Sequence, residues 1–289
     1  MVNHSLDILR SKSQINYDYA TIKVTQSRID KGLIAIPSSM SDWFPPKNET
    51  IQVHLNDSLQ SQTKNYSSYA SSARECRIGG VREWFNQNNI KTGDEIVIQV
   101  IDKENFIYRL IPERNFLTTT KELQRSLDHS ETDQESSNHI ISLAEFTHLD
   151  RSKIVFNEFF RLVNAQLDGG RRYTQRSPIR ARESVPVSLR TLLKELYMGH
   201  CQICDYWFLK KDREPYFETH HLDPSKGHHP QNILVVCGNC HNQFEYADVI
   251  QEFNELHWLE KVIFNQNVHN VKHVVPTSGI DGFFKEFFT

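Results

Sequence analysis

The chain has 289 residues, 38% of them hydrophobic and 24% charged, with 17 phenylalanines; this excludes a disordered chain and leaves room for two domains that each bury a core. A formal net charge of −3 excludes a nucleic-acid binder that works by bulk basicity, so charge has to be read locally. No apolar run approaches the ~18 residues of a membrane span, and MVNHSLDILR lacks an apolar core of signal-peptide length, so a cytoplasmic protein with no membrane partner is expected.

Residues from about 20 to 112 read as mostly β. LIAIP and TIQVHL are short strand candidates, and DEIVIQVI and NFIYRLI carry β-branched and aromatic residues between turn signals. Helical character interrupts them at SSMSDWF, after Pro37, and at GVREWFNQNN, before the turn KTGD. Cys76 stands apart from the other cysteines and reads as a small buried residue.

The strand end Ile36-Pro37, the aromatic pair Trp84-Phe85 and the turn Lys91-Thr92-Gly93-Asp94 resemble the B3 DNA-binding pseudobarrel, which occurs in plant transcription factors and as the recognition module of some bacterial restriction enzymes. The resemblance covers about residues 15 to 115. It implies two arms that enter the major groove, one at Gln26 to Lys31 and one within KNYSSYASSARE, 64 to 75. Arg28, Lys31 and Arg74 would then read guanine edges or hold phosphates, and Asn65 would pair with adenine. The plainer reading of the second stretch is a polar surface loop.

From about 113 to 140 the texture turns polar and acidic, TTTKELQRSLDHSETDQESSNH, a linker signal. FNEFFRLVNAQL then reads as an amphipathic helix. GGRRYTQRSPIRAR carries Arg171, Arg172, Arg176, Arg180 and Arg182 and no acid, which makes poor core material and a good phosphate-gripping strap, with a solvated linker as the alternative. VSLRTLLKELYMGH reads as a helix stopped at Gly199.

Cys201-x₂-Cys204 and Cys237-x₂-Cys240 are two thiolate pairs separated by residues 205 to 236. Four thiolates so spaced suit a closed, tetrahedral, structural zinc site in a reducing compartment. A closed site has no open coordination position and by itself says nothing about catalysis. Between the pairs, YWFLKKDREPYFETHHLDP reads as a strand, a turn at Asp212 to Pro215 and a second strand ending at the histidines. The loop SKGHHPQN leads to the strand ILVVC and a helix from about Asn239. His228 and His229 read as solvated loop histidines, with a contact to DNA as the alternative.

Cys201-x₂-Cys204, Glu218-x-His220-His221, Pro224, Asn232 before an apolar strand, and Cys237-x₂-Cys240-His241 resemble, in order and spacing, the HNH endonucleases with their ββα-metal fold, over about residues 190 to 250. The resemblance implies phosphodiester hydrolysis with His221 as general base, His220 and His241 as ligands of a catalytic ion, and Asn232 as the residue that holds the base in place. Where many members place another histidine, this chain has Glu245, which favours magnesium or manganese at that ion. A zinc ribbon that cuts nothing would have no use for these four residues together.

The expected fold class is α+β: a B3-like DNA-recognition domain at 1–115, a polar acidic linker at 116–140, and an HNH nuclease domain with the four-cysteine zinc site at 141–289. The expected function is sequence-specific cleavage of double-stranded DNA, of restriction type. A non-catalytic zinc-containing DNA-binding regulator and a modification-dependent HNH endonuclease are the alternatives. A homodimer is expected on DNA, because one site cuts one strand, with the Phe-rich segments 156 to 160 and 283 to 288 as its apolar surface.

Overall fold

The computed structural model describes residues 15–68, 76–165, 173–176, 179–182, 184–223 and 225–274. The chain divides into two compact units, Met1–Ser126 with Ile141–Asp150, and Leu127–Ile140 with Arg151–Thr289. Both mix helix and sheet, so the protein is α+β.

In the first unit the strands are β1 (Ala20–Lys23), β2 (Leu33–Ile36), β3 (Glu49–Leu55), β4 (Ser61–Ser67), β5 (Cys76–Gly79), β6 (Glu95–Asp102) and β7 (Ile107–Pro112). They form one sheet in the order β1-β6-β7-β3-β4-β5-β2, antiparallel except where β3 pairs with β7. The edge strands β1 and β2 are neighbours in sequence, joined through α1 (Gln26–Lys31). Six strand spacings laid flat would separate them by ~29 Å, whereas the helix spans ~9 Å and its three flanking residues ~10 Å. The sheet therefore curls until β1 and β2 touch.

Alternation in β3 sends Ile51, Val53 and Leu55 inward, where they meet Ile34, Ile78, Ile96 and Leu110. Phe44 lies stacked between Tyr66 and Tyr108, at 5.2 and 4.5 Å between ring centroids, and Tyr108 donates its hydroxyl to Trp43 O at 2.7 Å. The pair Trp84-Phe85, on α2 (Arg82–Gln87), is buried in the same core. Cys76 is buried there too. Gly32 ends α1 at φ +64, and a Cβ there would come within 2.7 Å of Arg82 Cβ.

The segment expected to be a linker is instead helical: α3 (Glu113–Asp128) and α4 (Asp133–Thr147). Its few apolar and neutral residues fall at helical spacing. Phe116, Thr120, Gln124 and Leu127 are all buried, and steps of four, four and three place them on one helix face. Phe116 packs against Tyr19 and Phe146, with ring centroids 5.0 and 5.4 Å away.

In the second unit, α5 (Arg151–Val163) and α6 (Val187–Tyr197) pack against each other, and Arg151 makes a two-pronged bond to Glu195 at 2.8 and 2.5 Å. Phe159 is buried, and Phe156 and Phe160 pack against the same cluster, so segment 156 to 160 is core and not the free apolar surface expected for dimerisation. Segment 283 to 288 lies outside the described residues. The arginine stretch contains a two-stranded hairpin, β8 (Tyr173–Arg176) and β9 (Ile179–Arg182). The unit continues through β10 (Glu218–His221), β11 (Ile233–Val236), α7 (Gly238–Tyr246) and an antiparallel meander of β12 (Val249–Phe253), β13 (Leu259–Phe264) and β14 (Asn267–Asn270).

Replacing Phe116 by Ala separates a packed helix from a linker. Urea unfolding of the full chain is expected to show a loss of about 3–5 kcal/mol, whereas a solvated linker residue would change stability by less than ~0.5 kcal/mol.

Candidate histidine site and four-cysteine centre

Two knuckles converge first. The sulfurs of Cys201, Cys204, Cys237 and Cys240 all lie within 4.8 Å of one another, and among the described residues they form the one group of three or more His, Cys, Asp or Glu donors so gathered. All four are free thiols. The Cys204 and Cys237 sulfurs stand 3.6 Å apart, far beyond a disulfide bond and close to the ~3.8 Å edge of a tetrahedron with 2.3 Å zinc–sulfur bonds. Without a cation, the hydrogen bond to Cys201 and burial hold the Cys240 proton on well above the ordinary thiol range. A +2 ion is what allows all four to ionise together. The donor set and its spacing fit a structural zinc.

The second knuckle starts α7, and Cys237 caps it by accepting from Cys240 N at 3.4 Å. The partner of β10 is β11, antiparallel, with His220 opposite Leu234 and His221 opposite Ile233. The expected pairing of the first knuckle's strand with β10 reduces to one bridge, Leu209 to Pro215, because β11 is buried on both faces and outcompetes an exposed segment for the ladder. Leu234 and Val236 point into the cluster that holds the cysteines and leans on Phe244. Ile233 and Val235 point into the cluster built by α5 and α6.

Opposed residues of a ladder share a face, so the two neighbouring histidines part company. His220 faces α7, its ring stacked on Phe244 at 4.0 Å and lying edge-on to His241 at 5.2 Å. Burial, then the nearby His241, pushes its pKa down to about 4, so the imidazole is neutral at cellular pH. Glu218, two residues before it on the same face, bonds His241 Nδ1 and accepts from the Tyr216 hydroxyl. That second bond holds the Glu218 carboxyl below its usual range and lifts the phenol to about 12. With Nδ1 donating to a carboxylate, Nε2 of His241 presents its lone pair, the usual arrangement for a metal-bound histidine.

His221 faces the other way and is 8% exposed. Its Nε2 lies 3.0 Å from Nδ1 of His228. His229 bonds Val163 O through Nε2 at 2.9 Å and accepts from Gln231 N at 3.3 Å. Neither loop histidine is the solvated residue expected. Asn232, also buried, braces the loop after His221: its Oδ1 accepts from Asp223 N at 2.8 Å, and its Nδ2 donates to Asp223 O and Gly227 O, both at 3.0 Å. Pro224 lies outside the described residues. Glu245 joins no cluster with His220 and His241.

The expected DNA-reading residues are scattered over both units. Arg28 and Lys31 ride on α1, so the first expected arm is a short helix. Asn65 is exposed on β4, opposite Thr50. Arg74, Arg171 and Arg172 lie outside the described residues. Arg176 falls on β8, and Arg180 and Arg182 on β9. Sequence reasoning missed Tyr216 and His228. Alternation in YFE could have placed Tyr216 on the Glu218 face, but no local signal pairs His228 with His221.

No protein-family model and no curated protein sequence matches the chain. Among solved structures, the chain is similar to the Arabidopsis FUS3–DNA complex at 14% identity, covering 32% of this chain and 92% of that one with a TM-score of 0.27. It is similar to the Arabidopsis thaliana transcription factor LEC2–DNA complex at 19% identity, 32% and 88% coverage and a TM-score of 0.27. The N-terminal domain of Helicobacter pylori LlaJI.R1 matches at 14% identity, 32% and 76% coverage and a TM-score of 0.25. None of the described helices is long and apolar enough to cross a membrane.

Metal analysis of the purified chain is expected to return one zinc per chain, and a Cys240→Ser variant to lose it together with the cooperative unfolding of the second unit. Wild-type protein that is fully folded and carries no zinc would contradict the assignment.

Proposed function

We propose that the chain is a metal-dependent endonuclease of the HNH restriction type that recognises and cleaves double-stranded DNA. One observation carries the reading: on a single short ladder and the helix that follows it, His220 and His241 meet with rings 5.2 Å apart, while His221 ends the same strand beside a loop braced by Asn232. A purely structural ribbon requires the cysteines and nothing of this set.

His220 and His241 would hold magnesium or manganese, two imidazoles leaving positions open as a site that must admit substrate requires. A cation bound there supplies Lewis-acid stabilisation of charge on the phosphate and the leaving oxygen. His221 takes the proton from the attacking water, an imidazole being suited to that exchange near neutral pH. His228 and the Asn232-braced loop fix its ring. Glu218 sets the His241 tautomer, and Tyr216 sets Glu218.

The first unit is assigned the sequence reading, by a B3-like arrangement in which Arg28, Lys31 and Asn65 face the grooves. The arginines of the β8–β9 hairpin are assigned phosphate contacts. Because one site hydrolyses one strand, a two-fold dimer on a near-palindromic target completes the reading.

Plasmid cleavage with magnesium or manganese tests it. His221→Ala is expected to slow cleavage by on the order of 10²–10⁴ with zinc content and duplex affinity unchanged. Cleavage by that variant at the wild-type rate would remove His221 from the mechanism. Absence of cleavage by the wild type, with duplex binding intact, would leave a non-catalytic zinc-containing DNA-binding regulator.

A further inference from the structure

The first knuckle carries a surface that the nuclease reading leaves without a task. Four consecutive large side chains stand open to solvent, Tyr206 at 57%, Trp207 at 42%, Phe208 at 39% and Leu209 at 48%, with Met198 at 69%. Contiguous exposed apolar surface of this kind marks a place where something binds.

These rings are held in place. Trp207 stacks on His200 at 5.5 Å and donates its Nε1 proton to Met198 O at 2.8 Å. Phe208 stacks on Tyr216 at 4.8 Å. The main chain closes beneath them through Lys210 N to Glu214 O at 2.8 Å and Tyr216 N to Phe208 O at 3.0 Å. Gly199, at φ +75, lets the hairpin approach so closely that a Cβ there would lie 2.4 Å from Pro215 Cβ. The ordering entropy of the rings is therefore already spent in the fold, which favours binding.

Charge indicates what kind of partner fits. Lys194, Lys210 and Lys272 each hold a carboxylate, at 3.0, 2.9 and 2.9 Å. At the turn, Lys211 and Arg213 are exposed and enter no ion pair among the described residues. A rigid aromatic ridge with two cations at its tip suits a polyanion with apolar surface, and duplex DNA sets phosphates beside sugar rings and thymine methyl groups. Position agrees, because contacts run unbroken from Phe208 to Tyr216, from Tyr216 to Glu218 and from Glu218 to His241.

We propose that the hairpin 206–216 is a further DNA-contacting element, with Tyr206 and Phe208 lying against sugars and base edges of the duplex and Lys211 and Arg213 on its phosphates. The proposal rests on the nuclease reading only in taking duplex DNA as the polymer at the neighbouring site. Two experiments on the full-length chain test it. A photo-crosslinking phenylalanine analogue at position 206 is expected to attach to labelled duplex on irradiation, and unlabelled duplex to suppress it. The double variant Lys211→Gln with Arg213→Asn, whose Asn tolerates the left-handed backbone at φ +65, is expected to flatten the plot of log affinity against log salt by about 1.8, two phosphates at ~0.9 each. A chain that crosslinks to DNA yet cuts none would sink the nuclease reading and leave this proposal standing. Crosslinks to a second copy of the chain, crosslinks to single strands alone, or an unchanged salt slope with cleavage intact would overturn the proposal and spare the nuclease.

Discussion

The second unit's site depends on one constraint, the meeting of four sulfurs from two knuckles that stand at opposite ends of residues 201 to 240. Everything assigned to catalysis is strung between or just past them: Glu218, His220 and His221 on β10, Asn232 before β11, and His241 in the first turn of α7. Closing so long a loop costs entropy before any ladder bond can repay it. Apparent zinc affinities of structural sites, about 10–16 kcal/mol, are as large as the whole net stability of an ordinary domain, about 5–15 kcal/mol. The ion would thus decide whether the ladder exists at all.

Given the ladder, register divides the work. β11 buries all four side chains, two on each face, so a slip of one residue would drive both sets into the wrong cluster. The same register turns His220 toward Phe244 and His241 and turns His221 toward His228. Two adjacent histidines acquire separate surroundings from the two-residue period of a strand, one beside a partner imidazole and one beside a braced loop. A carboxylate two positions upstream shares the His220 face for the same reason, and there it fixes the ring of His241.

The zinc spacing, the helix end beside Gly199 and the strands β2, β3, β6 and β7 were legible because each rests on local chemistry: thiol pairs, a left-handed turn at Met198-Gly199, alternating β-branched residues. The short or polar strands β1, β4 and β5 were not. Neither was the helix over 113–128, since polarity masks a helix whose buried face is only Phe116, Thr120, Gln124 and Leu127. The partner of β10 was misjudged for a different reason. Both candidate strands are apolar, and only the burial of β11 on both faces decides between them. His228 joins His221 across a loop of irregular backbone, and no periodicity encodes that contact. The aromatic run 206 to 209 read as a strand in sequence, yet its side chains face solvent.

The central claim is that this unit holds two separate metal centres, one closed and one open. Anomalous diffraction from crystals soaked in manganese, with data collected at the zinc and manganese edges, measures this directly. The account predicts a zinc peak enclosed by Cys201, Cys204, Cys237 and Cys240, and a distinct manganese peak between His220 and His241 that disappears in a His220→Ala, His241→Ala variant while the zinc peak remains. Manganese found only at the cysteines, or nowhere near the two histidines, would contradict it.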